Sequence, residues 1–147
     1  QKTAYEIGVR LVGSEMCIRD RFKITEVDVI INAVTGPEVV TGSTRMKAGT
    51  ATKLILNMIS TATMIKLGKV YGNLMVDLMA VNDKLVDRGT RIIEQLTDLD
   101  YDEAKLKLFE AEKSVKTAIV MEKLNCTLNE AREKLDNVGG FLRNLID

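Results

Sequence analysis

The chain has 147 residues, 46% apolar and 29% charged, and its 21 basic and 21 acidic side chains cancel. With that balance, no Lys/Arg run longer than two and only 4% aromatics, neither a phosphate-tracking basic face nor a base-stacking platform is expected. The absence of histidine removes Ser-His-Asp triads, Cys-His pairs and most zinc sites, and Cys17 and Cys126 have no metal-type spacing.

Acid–base chemistry would therefore have to come from carboxylates, lysines or tyrosines. No metal or cofactor is expected. Two cysteines are too few for a disulfide framework and read as reduced thiols. The longest mostly apolar run, residues 54–65 (LILNMISTATMI), is too short to span a bilayer. Lys2, Glu6 and Arg10 interrupt any secretory core, so the compartment expected is the cytoplasm, with no membrane partner.

Residues 1–21 (QKTAYEIGVRLVGSEMCIRDR) have no sustained period. The part LVGSEMCIRDR resembles a translated sequencing-adapter artefact, and the segment is read as non-native; a genuine amphipathic helix is the rival reading. Residues 27–34 (VDVIINAV) are β-branched and nearly uninterrupted, the pattern of a strand buried on both faces of a parallel sheet. Gly36-Pro37 breaks it. A helix is predicted to start near Ser43-Thr44, to run to about Leu67 and to stop at Gly68. Ala51, Leu54, Met58, Ala62 and Ile65 share one of its faces, and Leu56, Ile59 and Met64 extend the apolar surface, so this helix is expected to be largely buried in the intact parent.

Residues 68–78 (GKVYGNLMVDL) read as a connector with two glycines. A second helix is predicted over about 82–96, with Leu85, Ile92 and Leu96 on a stripe. Short helices follow near 101–109, 114–124, 127–135 and 140–146. Thr127 opens a capping box with Glu130 (TLNE). Three segments result: 1–21, a domain remnant over 22–97, and a small helical module over 98–147.

Residues 35–53 (TGPEVVTGSTRMKAGTATK) hold the only proline, three glycines, six hydroxyls and three cations. Small residues let backbone amides approach a ligand, hydroxyls supply neutral donors, and a helix N-terminus with two cations favours negative charge. The spacing is not that of a Walker loop. Two readings stay open on chemistry alone. The loop binds an anion, with Glu38 accepting from a ligand hydroxyl; or Ser43 caps the helix and Glu38 pairs with Arg45, merely shaping the loop.

The run GPEVVTGSTRMKAGTA, residues 36–51, followed by Lys53, resembles the signature of the N-acetylmuramic acid 6-phosphate etherases, which is shared with the glucokinase regulatory protein. The resemblance continues through LILNMIS (54–60), LGKVYGNLMVD (67–77), KTAIVM (116–121) and GGF (139–141), so it covers about residues 24–147. It implies a parent of α/β class, a phosphosugar-isomerase-type sandwich with a parallel sheet. The present chain would be mostly α, with one N-terminal strand and a three-helix module resembling a ubiquitin-associated fold. Within that module, packing or dimer contact is preferred to ubiquitin binding.

The implied activity is cleavage of the lactyl ether of N-acetylmuramic acid 6-phosphate to N-acetylglucosamine 6-phosphate and D-lactate by elimination and hydration, without a metal, in a homodimer. The family's two catalytic glutamates and serine-rich phosphate loop lie ahead of the signature, so no catalytic residue is placed on this sequence, and the fragment alone is expected to be inactive. Glu38, Ser43, Thr44, Arg45 and Lys47 match polar positions of the signature and are the expected sugar-phosphate-binding residues. Asn57, Asn73 and Asp77 are weaker candidates, and Tyr71 reads as packing. The alternative function is a non-catalytic sugar-phosphate-binding regulator resembling the glucokinase regulatory protein.

Overall fold

A computed structural model describes Val29 and residues 31–147. The segment 1–21 and positions 27, 28 and 30 of the expected strand lie outside the described residues. Among those described, the order is helix α1 (Lys47–Lys66), strands β1 (Val70–Tyr71) and β2 (Leu74–Met75), then helices α2 (Asp83–Leu96), α3 (Tyr101–Glu110), α4 (Val115–Lys123), α5 (Leu128–Asn137) and α6 (Arg143–Ile146). The chain divides into two compact units, Gln1–Thr61 and Ala62–Asp147.

One expectation is corrected in the first unit. Residues 31–34 form no strand, and Val29, Ile31 and Val34 are exposed. A strand of a parallel sheet needs neighbours to take its amides and carbonyls, and no described residue pairs with this segment. Helix α1 forms, but it has no buried residue; Leu54, Met58 and Ile65 are all more than half exposed, at 56, 62 and 54%. Its apolar surface is as wide as the sequence indicated and is largely exposed in this chain; the burial expected of it concerns the intact parent. The strands that do form lie where a connector was expected. β1 and β2 are antiparallel, with Val70 opposite Met75 and Tyr71 opposite Leu74. Gly72, at φ 57°, takes the first place of the two-residue loop between them, where only glycine is free of strain.

The second unit is built around α4. Seven consecutive residues, Val115 to Met121, are buried, including Lys116 and Thr117. α2 and α3 pack on each other and on α4; α5 and α6 pack on α4 as well. The core runs continuously through Val76, Ile93, Leu108, Val115, Ile119 and Leu142.

Local signals set the helix starts. Asn82 accepts from the Leu85 amide (3.0 Å), and Ser114 accepts from the Thr117 amide (3.4 Å). Thr127 and Glu130 form the expected reciprocal box. Asp100 and Glu103 form a second box, whose D-x-x-E spacing was equally visible in the sequence.

Four of the helix ends share one device. After α1, the Lys69 amide donates to Met64 O and the Gly68 amide to Ile65 O, both at 3.1 Å, with Gly68 at φ 66°. This is the paired closure of a Schellman motif. The same pairing recurs with Glu112, Asn125 and Gly139 in the left-handed position. Gly139 and the adjacent Gly140 (φ 80°) also explain why the last helix starts at Arg143 rather than near 140.

Gly89, buried in α2, packs directly against the side chains of α4 and α3. A Cβ there would lie 2.7 Å from Val115 Cγ2 and 3.4 Å from Leu108 Cδ2. Gly89→Ala is therefore expected to destabilise the chain by roughly 1–3 kcal/mol through overpacking, despite the gain of about 1 kcal/mol in helix propensity. Thermal melting checks this, and Val115→Ala added to the variant should recover part of the loss.

Candidate functional site

The loop that the sequence singled out folds back on itself at the start of α1. Glu38 reaches across nine residues to the first amides of the helix: the Lys47 amide donates to Oε2 (3.0 Å) and the Ala48 amide to Oε1 (2.9 Å). A carboxylate of the chain itself thus occupies the positive end of the helix, where anions are favoured. The Lys47 ammonium turns back to the Pro37 carbonyl at 2.9 Å. The Ser43 amide closes a turn onto Val40 O at 3.0 Å. The helix begins at Lys47, three to four residues later than expected, because residues 44–46 form turns and Glu38 satisfies the first helical donors.

The loop is shaped, but not by the Glu38–Arg45 pair and Ser43 cap that the sequence offered. Both Glu38 oxygens accept from amides, and Arg45 makes no ion pair among the described residues. Capping of the Lys47 and Ala48 amides comes from Glu38 and not from Ser43. A cavity of about 120 Å³ lies in the loop, lined by Gly36, Pro37, Glu38, Thr41, Thr44 and Ala48 among others. Glu38 and Thr44 are thus brought together at one hollow, while Ser43, Arg45 and Lys47 are outside its lining. Gly49 packs tightly below, where a Cβ would meet Thr44 O at 3.3 Å.

Of the weaker candidates, Asp77 binds Lys69 and Lys116 in the second unit; Tyr71, read as packing, has its hydroxyl satisfied by Asp147. The Asn57 carbonyl accepts from the Ser60 hydroxyl at 3.1 Å, a bond within α1. Cys126 is a half-buried free thiol whose Sγ donates to Val120 O at 3.7 Å. Among the described residues there is no cluster suited to a metal ion, and no helix is long and apolar enough to cross a membrane.

The bonds from the Ala48 and Lys47 amides hold the Glu38 carboxyl below the ordinary glutamate value of 4.5, and the Lys47 charge acts in the same direction. A lowered carboxyl pKa in the folded state means that the loop gains from Glu38 above the ordinary value and loses that gain as pH falls through the folded value. The Lys47 and Ala48 amide resonances are accordingly expected to titrate together, with a midpoint below 4.5. Glu38→Gln should abolish that titration. A midpoint at or above the ordinary value would show that the two bonds do not hold the carboxylate in solution.

No protein-family model matches the chain. Among curated proteins, it is 62% identical over 116 residues to the N-acetylmuramic acid 6-phosphate etherase of Oceanobacillus iheyensis, covering 79% of this chain and 40% of that relative. It is 50% identical over 130 residues to the protein of the same name from Mycolicibacterium smegmatis, covering 88% of this chain and 44% of the relative. The match to the protein of the same name from Escherichia coli O157:H7 is 47% over 144 residues, covering 98% and 48%. The chain thus spans about half the length, or less, of the curated relatives it matches. With 47–62% identity over most of its length, the chain belongs in sequence to the N-acetylmuramic acid 6-phosphate etherase family.

Proposed function

We propose that the chain is part of an enzyme that cleaves the lactyl ether of N-acetylmuramic acid 6-phosphate. D-lactate leaves by elimination as the ether C–O bond breaks, and water then adds to the unsaturated sugar to give N-acetylglucosamine 6-phosphate. The observation that carries this reading is the identity of 47–62% to proteins of that name. No catalytic residue is assigned to the chain. Glu38, the carboxylate of the loop, is held ionised by two amides, which makes it a poor proton donor.

In this reading Glu38, Ser43, Thr44, Arg45 and Lys47 contribute to the sugar-phosphate pocket. Thr44 and Glu38 face the hollow of the loop, and the cations Arg45 and Lys47 stand beside it in sequence to meet the phosphate. Because the first helix amides already hold Glu38, the phosphate would be bound through hydroxyls and cations rather than through those amides. The longer enzyme would be a cytoplasmic homodimer, with a parallel-sheet sandwich and a terminal three-helix module. The exposed apolar surface of α1 supports the larger fold: a helix apolar on several sides belongs in an interior.

The test is a chimera in which this chain replaces the matching region of the Oceanobacillus iheyensis protein, assayed for D-lactate release. The chimera is expected to release D-lactate, and the 147-residue chain alone to release none. A folded chimera without release would overturn the proposal. In the active chimera, Lys47→Ala should raise KM by roughly tenfold or more, as expected for a lost charge-assisted contact, and Ser43→Ala by less. Unchanged KM in both would remove these residues from the pocket. Met58→Asp should lower the melting temperature of the chimera while leaving that of the chain alone unchanged.

A further inference from the structure

One buried charge in the second unit is unrelated to the loop. The Lys116 side chain, on the central helix α4, is 9% exposed. Its ammonium has three N–H donors, and three acceptors surround it: Gly140 O at 2.9 Å, Gly68 O at 3.0 Å and Asp77 Oδ1 at 3.3 Å. Each acceptor comes from a different segment. Gly68 ends α1, Asp77 follows the β1–β2 hairpin, and Gly140 follows α5. The sequence had given Lys116 no role.

Further contacts converge on the same place. The Phe141 ring fills the space over Gly68, where an added Cβ would be 3.0 Å from its Cγ. Leu142 is buried, and Tyr71 of β1 donates to Asp147. Residues 139–147 therefore lie as a strap over the Gly68 turn and the hairpin, held at Gly140 and at Asp147. Burial pushes the Asp77 carboxyl up, but the Lys69 hydrogen bond and the Lys116 charge outweigh it and keep the group below the usual carboxylate range.

We propose that Lys116 is a charged latch that makes the order of the Gly68 turn with its hairpin and of the 139–147 strap mutually dependent, so that the two segments open together. The physical reason is that a buried ammonium tolerates no missing partner. When one segment leaves, the charge loses an acceptor and its remaining bonds lose their benefit. A hydrophobic side chain at the same place would pack against both segments without linking them in this way.

The test is amide hydrogen exchange on the full chain with Lys116→Met, which keeps the length of the side chain and removes charge and donors. Peptides covering 67–78 and 139–147 are expected to exchange roughly tenfold faster or more, both together, while those covering 83–96 in α2 keep their protection. Wild-type protection in both segments, or loss in only one, would overturn the latch. If Lys116→Met does not fold, Asp77→Asn decides, because it leaves both carbonyl contacts in place. A smaller but joint increase in the two segments supports the latch, and an increase in one or in neither refutes it.

Discussion

A lysine ammonium enclosed in a protein interior must find acceptors for its protons, and the second unit is arranged around that requirement at Lys116. Three residues far from it in sequence present one oxygen each, two of them backbone carbonyls at glycines in left-handed conformation. Gly68 has a steric reason to be there, and Gly140 a conformational one, its φ of 80°. A side chain at Gly68 would run into Phe141 and the Gly140 carbonyl, and one at Gly140 would approach the ammonium at 3.7 Å. The positive charge, the turns and the aromatic lid over Gly68 form one structural unit. Its parts fall in the stretches 67–77, 116–121 and 139–141 that carry the family resemblance beyond the signature loop.

The rest of that unit follows from how its helices stop. Four helices end with the same doubly bonded reversal, and each redirects the chain within two residues. Short helices of about ten residues are marginal alone; here they are held by packing on α4, whose seven buried residues reach the core from every side. The isolated bridge from Met79 to Ser114, with Ala80 bonded to Lys113 O at 2.9 Å and Val115 to Leu78 O at 3.1 Å, ties the segment after the hairpin to the start of α4. The left-handed Glu112 and Lys113 make that pairing possible, although such conformations are unfavourable for residues with a Cβ.

The loop in the first unit illustrates a different balance. A helix N-terminus rich in glycine, hydroxyls and cations is suited to an anion, and the anion present is the chain's own Glu38. That carboxylate organises the loop and leaves a hollow beside Thr41 and Thr44. Glu38 therefore shapes the loop in any reading, and its part in holding a ligand hydroxyl would be additional to a structural task that the geometry already defines.

What the sequence by itself determined is what depends on nearest neighbours along the chain. Asn82, Ser114 and Thr127 marked helix starts because a side-chain oxygen three residues ahead of an amide needs no other element to reach it. Gly68 marked a helix end because its left-handed turn is a local event. The signature at 36–51 likewise marked family membership from residue order alone. Tertiary structure decided burial and partner choice. α1 and α4 are both apolar helices, and the more apolar α1 is exposed while α4, carrying a lysine and a threonine inward, is the core. Glu38 could meet Arg45 or a helix end, and only the fold of the loop gave its oxygens to the Lys47 and Ala48 amides. Lys116 looked like any helical lysine. Its role arises from three carbonyl and carboxylate oxygens between 24 and 48 residues away, a distance over which no local pattern in a single sequence reports contact.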